Sequence, residues 1–464
     1  MTRPTTIGAL RETGYRSRTV KEELRANLIE ALAKKTALFQ GIVGFEATVI
    51  PQIENAILSG QDIIFLGERG QAKTRIARQL IELLDPVVPA IAGCEINDDP
   101  FAPICAACKY RVANDGDAVE LVWLTPDLRY SEKLATPDIS IADLIGEVDP
   151  IKVAEGRYLS DELTIHYGLV PRTHRGIFAL NELPDLAERV QVGLLNVMEE
   201  RDVQIRGYKV RLPLDLFVVA SANPEDYTNR GRIITPLKDR FGSQIRTHYP
   251  KEIATEVGIM EQERQSFEDE GITTVVPGYM KEILAEVSQL ARRSPEISQR
   301  SGVSVRVTVS NYENLVSAAL KRALRNGETS VVPRISDLPA VVASTAGKIE
   351  LESVGEISEE RVIDRLVQRS ILNVFNRTFS LVEFDALLAA FQRGATMHVS
   401  PSLPSQEYVK QALQIPGMKG AVGKLGATGN PAAIAAAVEF VLEGLHLNRK
   451  LNKERGELRS TFRA

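Results

Sequence analysis

Residues 67–74 read GERGQAKT, and they stand between an apolar run, QDIIFLG, and an amphipathic stretch, TRIARQLIELL. No other segment restricts the fold of this chain so strongly. In the second stretch Ile76, Ala77, Leu80, Leu83 and Leu84 recur at helical spacing, so one helix face is buried. A buried strand, a glycine-rich turn and a helix in that order put free backbone N–H groups and a positive helix end at one point, which suits a phosphate. Gly67 and Gly70 let the turn close, with Glu68, Arg69 and Gln71 in it. Lys73 reaches for outer phosphates, and Thr74 offers a hydroxyl to Mg2+. Ala72 stands where the usual GxxxxGK[ST] pattern has its second glycine; a methyl group is tolerated there if the backbone has already entered helical φ/ψ. Gly423-Lys424 in GMKGAVGKL is a decoy: the spacing from Gly417 is one residue too long, no hydroxyl follows, and a loop is expected.

Two more apolar strands follow, GIFAL at 176–180 and LFVVASA at 216–222, separated by helix-like AERVQVGLLNVMEE. Strands alternating with helices predict an α/β sandwich around a mainly parallel sheet. Residues 19–35 read as a helix within an N-terminal segment, 1–37, and the α/β core runs over 38–250. Beyond it the pattern turns helical, with a helical domain over 251–350 and a mostly helical extension over 351–464. A length of 464 residues fits such a division. With a net charge of −5 the chain is no general binder of nucleic acid or anionic membrane, and no apolar run is long enough to span a bilayer. Three cysteines make no disulfide framework, which makes a reducing cytoplasm the default location.

GERGQAKT, GIFALNEL and SANP in this order resemble AAA+ ATPases of the magnesium-chelatase I-subunit and MoxR-like branch. DLIGEVDPIKVAEGRY with LVPRTHRG resembles that branch's insert in its second helix, and residues 190–224 resemble its helix, β-hairpin and sensor strand. The likeness covers roughly residues 38–320. It implies a P-loop core followed by a helical lid, ATP and Mg2+ as ligands, and a ring, typically a hexamer, with sites between subunits. Position by position, it makes Glu182 the base that orients water, Asn223 the polar sensor near the γ-phosphate, Arg240 of KDRFG an arginine finger for the neighbouring subunit, and Arg306 a second sensor from the lid. Arg230, Arg232 and Arg300 are rivals for the arginine roles, and structural ion pairs are the alternative for Arg240 and Arg306. The branch includes chelatase subunits and chaperone-like motors, often with a von Willebrand A-type partner; DISIA at 138–142 misses that domain's metal motif, so such a partner would act in trans. A sigma-54 activator shares the core but needs a GAFTGA-like loop, and the chain has none.

Asn181 departs from the pattern, because an aspartate usually precedes the catalytic glutamate. Mg2+ keeps several waters and needs few protein ligands, so an amide there predicts a weaker metal grip and slow turnover rather than loss of ATP binding. Replacing Asn181 by Asp should then lower the Mg2+ requirement. The alternative reading is a nucleotide-binding switch or scaffold with little turnover. Cys94, Cys105 and Cys108 form a C-x10-C-x2-C arrangement. Three thiolates could hold Zn2+ with one further ligand, His166 or His174 if the fold brings one near; three ordinary thiols are the other reading.

Overall fold

A computed structural model describes residues 3–148, 164–199, 212–223, 232–267, 270–299, 302–352, 358–456 and 459–464. It divides into two compact units, residues 1–248 and 249–464. In the first unit the described strands are β1 Ile63–Leu66, β2 Val88–Ile91, β3 Leu121–Leu124, β4 Tyr130–Leu134, β5 Gly146–Val148, β6 Ile165–Tyr167, β7 Gly176–Asn181, β8 Leu216–Ala222 and β9 Ser243–Arg246. Five of them form a sheet in the order β4-β7-β8-β1-β9, every neighbouring pair parallel. β2 with β3 and β5 with β6 make separate antiparallel pairs.

β1, β7 and β8 are buried at every position, because helices cover both faces of the sheet. Successive strand residues point to opposite sides. Ile63, Phe65, Ile177, Phe217 and Val219 pack with α2 (Val20–Lys34), α3 (Ile50–Leu58) and α4 (Lys73–Gln79). Ile64, Leu66, Phe178, Leu180, Val218 and Ala220 pack on the other side with the helix Glu188–Glu199. This is an α/β sandwich around a parallel sheet, as the alternation of strands and helices predicts. α2 starts sharply, since Thr19 and Glu22 form a capping box, and it stops at Lys35 in the left-handed conformation.

α2 is also tied to the sheet by charge. Glu23 takes both guanidinium N–H groups of Arg129, at 2.7 and 2.6 Å, with both side chains buried. Arg129 Nε donates to the carbonyl of Arg175, just before β7. Gly176 fits there because a Cβ would stand 2.0 Å from the Arg129 carbonyl oxygen.

In the second unit one apolar cluster runs from Met260 to Phe462, built on the helices Gly278–Ala291, Val305–Arg325, Glu359–Thr378 and Pro431–Leu447. The helical texture read from the sequence is present. A short antiparallel sheet, formed by Met397–Val399, Ser460–Arg463 and Asn452–Arg455, is an addition that the sequence did not announce. Residues 418–424 correct the loop expected around the decoy glycine–lysine pair. They form a short helix, because Met418, Ala421 and Val422 fall on one buried face behind Gly417 at φ 85°. Among the described residues no helix is long and apolar enough to cross a membrane.

Candidate functional site

Because β1, β7 and β8 are adjacent and parallel, their C-terminal ends lie side by side. The register sets Leu66 opposite Ala222, and the Gly67 N–H donates to the Ala222 carbonyl at 3.1 Å. The loop 67–74 therefore starts beside Asn223, while β7 ends in Asn181 and Glu182 one strand away. Three sequence segments more than 100 residues apart from first to last meet at one sheet edge, the usual place for a ligand in an open parallel sheet.

Within the loop, the side chain of Gln71 and that of Thr247 meet at 2.6 Å directly over Gly67. A Cβ at residue 67 would lie 1.9 Å from Thr247 Oγ1 and 2.3 Å from Gln71 Oε1, so only glycine fits. Gly70 turns the chain at φ 74°. Ala72 does not obey its expectation: it caps α4 at φ 56°, ψ 13°, left-handed rather than helical. That is the conformation a glycine would take there, and for alanine it costs about 1–2 kcal/mol. Backbone strain of this size is stored where the surrounding structure over-determines it. The Lys73 ammonium is buried and donates to the carbonyl oxygens of Gly67 and, at 2.9 Å, of Glu68. It lies along the loop whose N–H groups would cradle a phosphate. Arg69 is exposed and Glu68 half-buried.

At the end of β7, Thr74 Oγ1 donates to Asn181 Oδ1 at 3.4 Å, and Ser221 Oγ donates to the same oxygen at 3.3 Å. The Asn181 amide nitrogen donates to Glu132 Oε1 at 2.8 Å. Glu132, on β4, is gripped by Arg78 at 2.7 and 2.9 Å and accepts from the Tyr130 hydroxyl. The hydrogen bonds from Arg78 hold its carboxyl below the usual carboxylate range. An ionised carboxylate only accepts, so it must take the NH2 side of Asn181. The amide oxygen is thereby turned toward Thr74, and a Mg2+-bound water would meet an acceptor. The donor set of a hydroxyl, an amide oxygen and nucleotide phosphates suits a hard, water-retaining cation.

Glu132 is the residue that sequence reasoning missed. Its only signal was an acid in a short polar strand, YSEKL, with no motif around it. It also bears on the expectation for Asn181→Asp, since an aspartate there would face a second carboxylate. Glu182 sits at φ 54°, ψ 49°, and its N–H donates to Ser221 Oγ at 3.2 Å. That left-handed turn takes its side chain off the alternation of β7. Asn223 is buried at the end of β8.

The arginines are placed differently. Arg240 ends a short helix, Thr235–Arg240, where it pairs with Glu199 and donates to the Pro236 carbonyl at 3.1 Å. Arg306 belongs to the second unit, exposed in the first turn of Val305–Arg325. Arg230 and Arg300, most of the insert at 143–158 and the hairpin at 203–212 lie outside the described residues.

The cysteines converge. Cys94, Cys105 and Cys108 are joined by Asp98, their ligand atoms all within 4.8 Å of one another. Neither histidine joins them. His166 lies on β6, exposed, beside Arg172. His174 is buried, its pKa pushed down to about 3 by desolvation, and its Nδ1 accepts the Asp215 N–H at 2.9 Å.

Comparison with known proteins gives matches to this core. The model of the Sigma-54 interaction domain family matches residues 155–240. The magnesium-chelatase 38 kDa subunit of Cereibacter sphaeroides is 26% identical over 230 residues, 49% of this chain and 63% of that protein. The magnesium-chelatase subunit ChlI of Nostoc sp. is 27% identical over 280 residues, 58% of this chain and 70% of that one. The chain thus spans just under two thirds of the Cereibacter subunit's length. Among solved structures, the complex of subunits BchI and BchD of magnesium chelatase aligns with 71% of this chain and 98% of its own, at 18% identity and a TM-score of 0.37.

Proposed function

We propose that this chain, which is 26–27% identical to magnesium-chelatase subunits over about half of its length, is an AAA+ ATPase that binds ATP with Mg2+ at residues 67–74 and hydrolyses it to remodel a partner protein or complex. One observation supports this most: the loop, Asn181 with Glu182, and Asn223 meet at adjoining strand ends. In this reading the loop N–H groups and Lys73 hold the phosphates, and Thr74 and the Asn181 oxygen serve the Mg2+ side. Glu182 accepts a proton from the attacking water, which Asn223 helps to orient. Arg240 completes a neighbour's site in a ring, and the second unit serves as a lid that brings Arg306 to the nucleotide. A partner with a von Willebrand A-type domain in trans belongs to the same proposal.

A slow nucleotide switch is the second reading, favoured by Asn181. Turnover and nucleotide binding measured separately on the unmodified chain, Lys73→Ala and Glu182→Gln decide between them. The motor reading expects Lys73→Ala to lose binding, and Glu182→Gln to keep binding while turnover falls by about 100-fold or more. A parent chain that binds ATP and turns it over no faster than Glu182→Gln would leave the switch. The sigma-54 family match, residues 155–240, includes β7, β8 and Arg240, a stretch that both classes of ATPase would share, and the chain lacks the GAFTGA-like loop. Affinity capture with Glu182→Gln in ATP would separate a chelatase output, seen as recovery of a large porphyrin-binding subunit, from a chaperone output.

A further inference from the structure

We propose that Cys94, Asp98, Cys105 and Cys108 form a structural zinc site. The sequence offered three thiols with His166 or His174 as the candidate fourth ligand; the fold brings Asp98 there instead, from the loop that the thiols enclose. Cys94 follows β2, Asp98 lies four residues on, and Cys105 and Cys108 open α5 (Ala106–Asp115). All four ligand atoms lie within 4.8 Å of one another. Four ligands around one ion with bonds of about 2.3 Å would stand about 3.8 Å apart, so a small contraction closes the tetrahedron. A cubane iron–sulfur cluster needs its sulfurs farther apart than this. Three soft thiolates with one carboxylate suit zinc rather than magnesium or calcium.

The surroundings fit bound anions. Asp98 is fully buried, and the nearby Arg175 pairs with its neighbour Asp99, at 3.3 Å. The Asp98 oxygens accept the N–H groups of Ile104 at 3.2 Å and Cys105 at 3.1 Å, which holds the carboxylate toward the thiols. The Asp98 N–H donates to Cys94 Sγ at 3.4 Å, and the Cys108 N–H to Cys105 Sγ at 3.3 Å. Such N–H···S bonds support thiolate ligands, as does the positive end of α5. A buried carboxylate facing three thiols is costly without a cation, and a divalent ion removes that cost. The ion would clip the turn at 92–105 to α5. The cluster's residues pack with Ile7 of α1 (Ile7–Glu12) and with the outer face of the sheet. The role is therefore structural, and nothing in it requires the nucleotide.

The test is metal content of the untagged chain, purified reduced and without chelator, then supplied with zinc and desalted. About one zinc per chain is expected, released by a mercurial as three thiols react. Reconstitution with Co2+ should give thiolate-to-cobalt charge-transfer absorption. Cys105→Ser should lose the zinc, and Asp98→Asn should weaken zinc affinity by about 10-fold or more while the cobalt spectrum shifts. Should the parent chain hold no zinc after supplementation, with all three thiols free, the site does not exist. Unchanged zinc affinity in Asp98→Asn would remove Asp98 as a ligand and overturn the four-ligand assignment.

Discussion

At the scale of single residues, the informative pair is Asn181 and Glu132. Viewed along the chain, Asn181 looks like a lost charge. In the fold a carboxylate lies 2.8 Å from its amide nitrogen, so negative charge is present at the strand edge, one side chain removed from Thr74. An aspartate at 181 would press against Glu132, and two carboxylates that close cannot both ionise easily. We therefore expect Asn181→Asp alone to leave the Mg2+ requirement of ATP hydrolysis unchanged or raised. Asn181→Asp with Glu132→Gln should lower it, since one carboxylate then faces the metal and an amide faces it from behind. A Mg2+ titration of both variants checks this. If the single variant does as well as the double, Glu132 has no part in the metal site. Lys73, Thr74 and Glu182 could be proposed from the sequence because their order in the chain follows a motif. Glu132 could not, because its partner is 49 residues away.

At the scale of elements, hydrophobic periodicity found β1, β7 and β8 to within a residue or two, since strands buried on both faces read as unbroken apolar runs. It missed β4 and β9, whose polar residues, as in SQIR and YSEKL, suit the two edges of the sheet. It also missed the pairing of α2 with the sheet through Glu23 and Arg129. Removing one member of such a buried pair strands the other's charge, so Glu23→Leu should lower stability by about 3–5 kcal/mol. Exchanging both members for apolar residues of similar volume, Glu23→Leu with Arg129→Met, should recover much of that loss. Denaturant unfolding of the three proteins measures it. Equal losses in the single and double variants would mean that packing, not charge, is at stake.

At the scale of the whole molecule, the 1–248 unit gathers the candidate residues of the loop, β7 and β8 at the carboxyl end of its sheet, and its Arg240 pairs with Glu199. In a ring with fingers acting in trans, Arg240→Ala should bind ATP and turn it over poorly, and Lys73→Ala should fail at binding. Mixing the two should restore part of the activity, because some interfaces then join an intact loop to an intact arginine. A mixture as inactive as its components would confine each site to one chain. The sequence by itself determined the glycine-rich loop after β1, the acid after β7, the parallel α/β class and the helical second half. Each of these is written in residues close together, in glycines, a lysine and apolar spacing. The tertiary structure alone decided the orientation of the Asn181 amide, the left-handed Ala72, the buried Glu23–Arg129 pair and Asp98 among the three thiols. These depend on distances between residues far apart in the chain, or on a backbone turn set by its surroundings, and no local pattern encodes either.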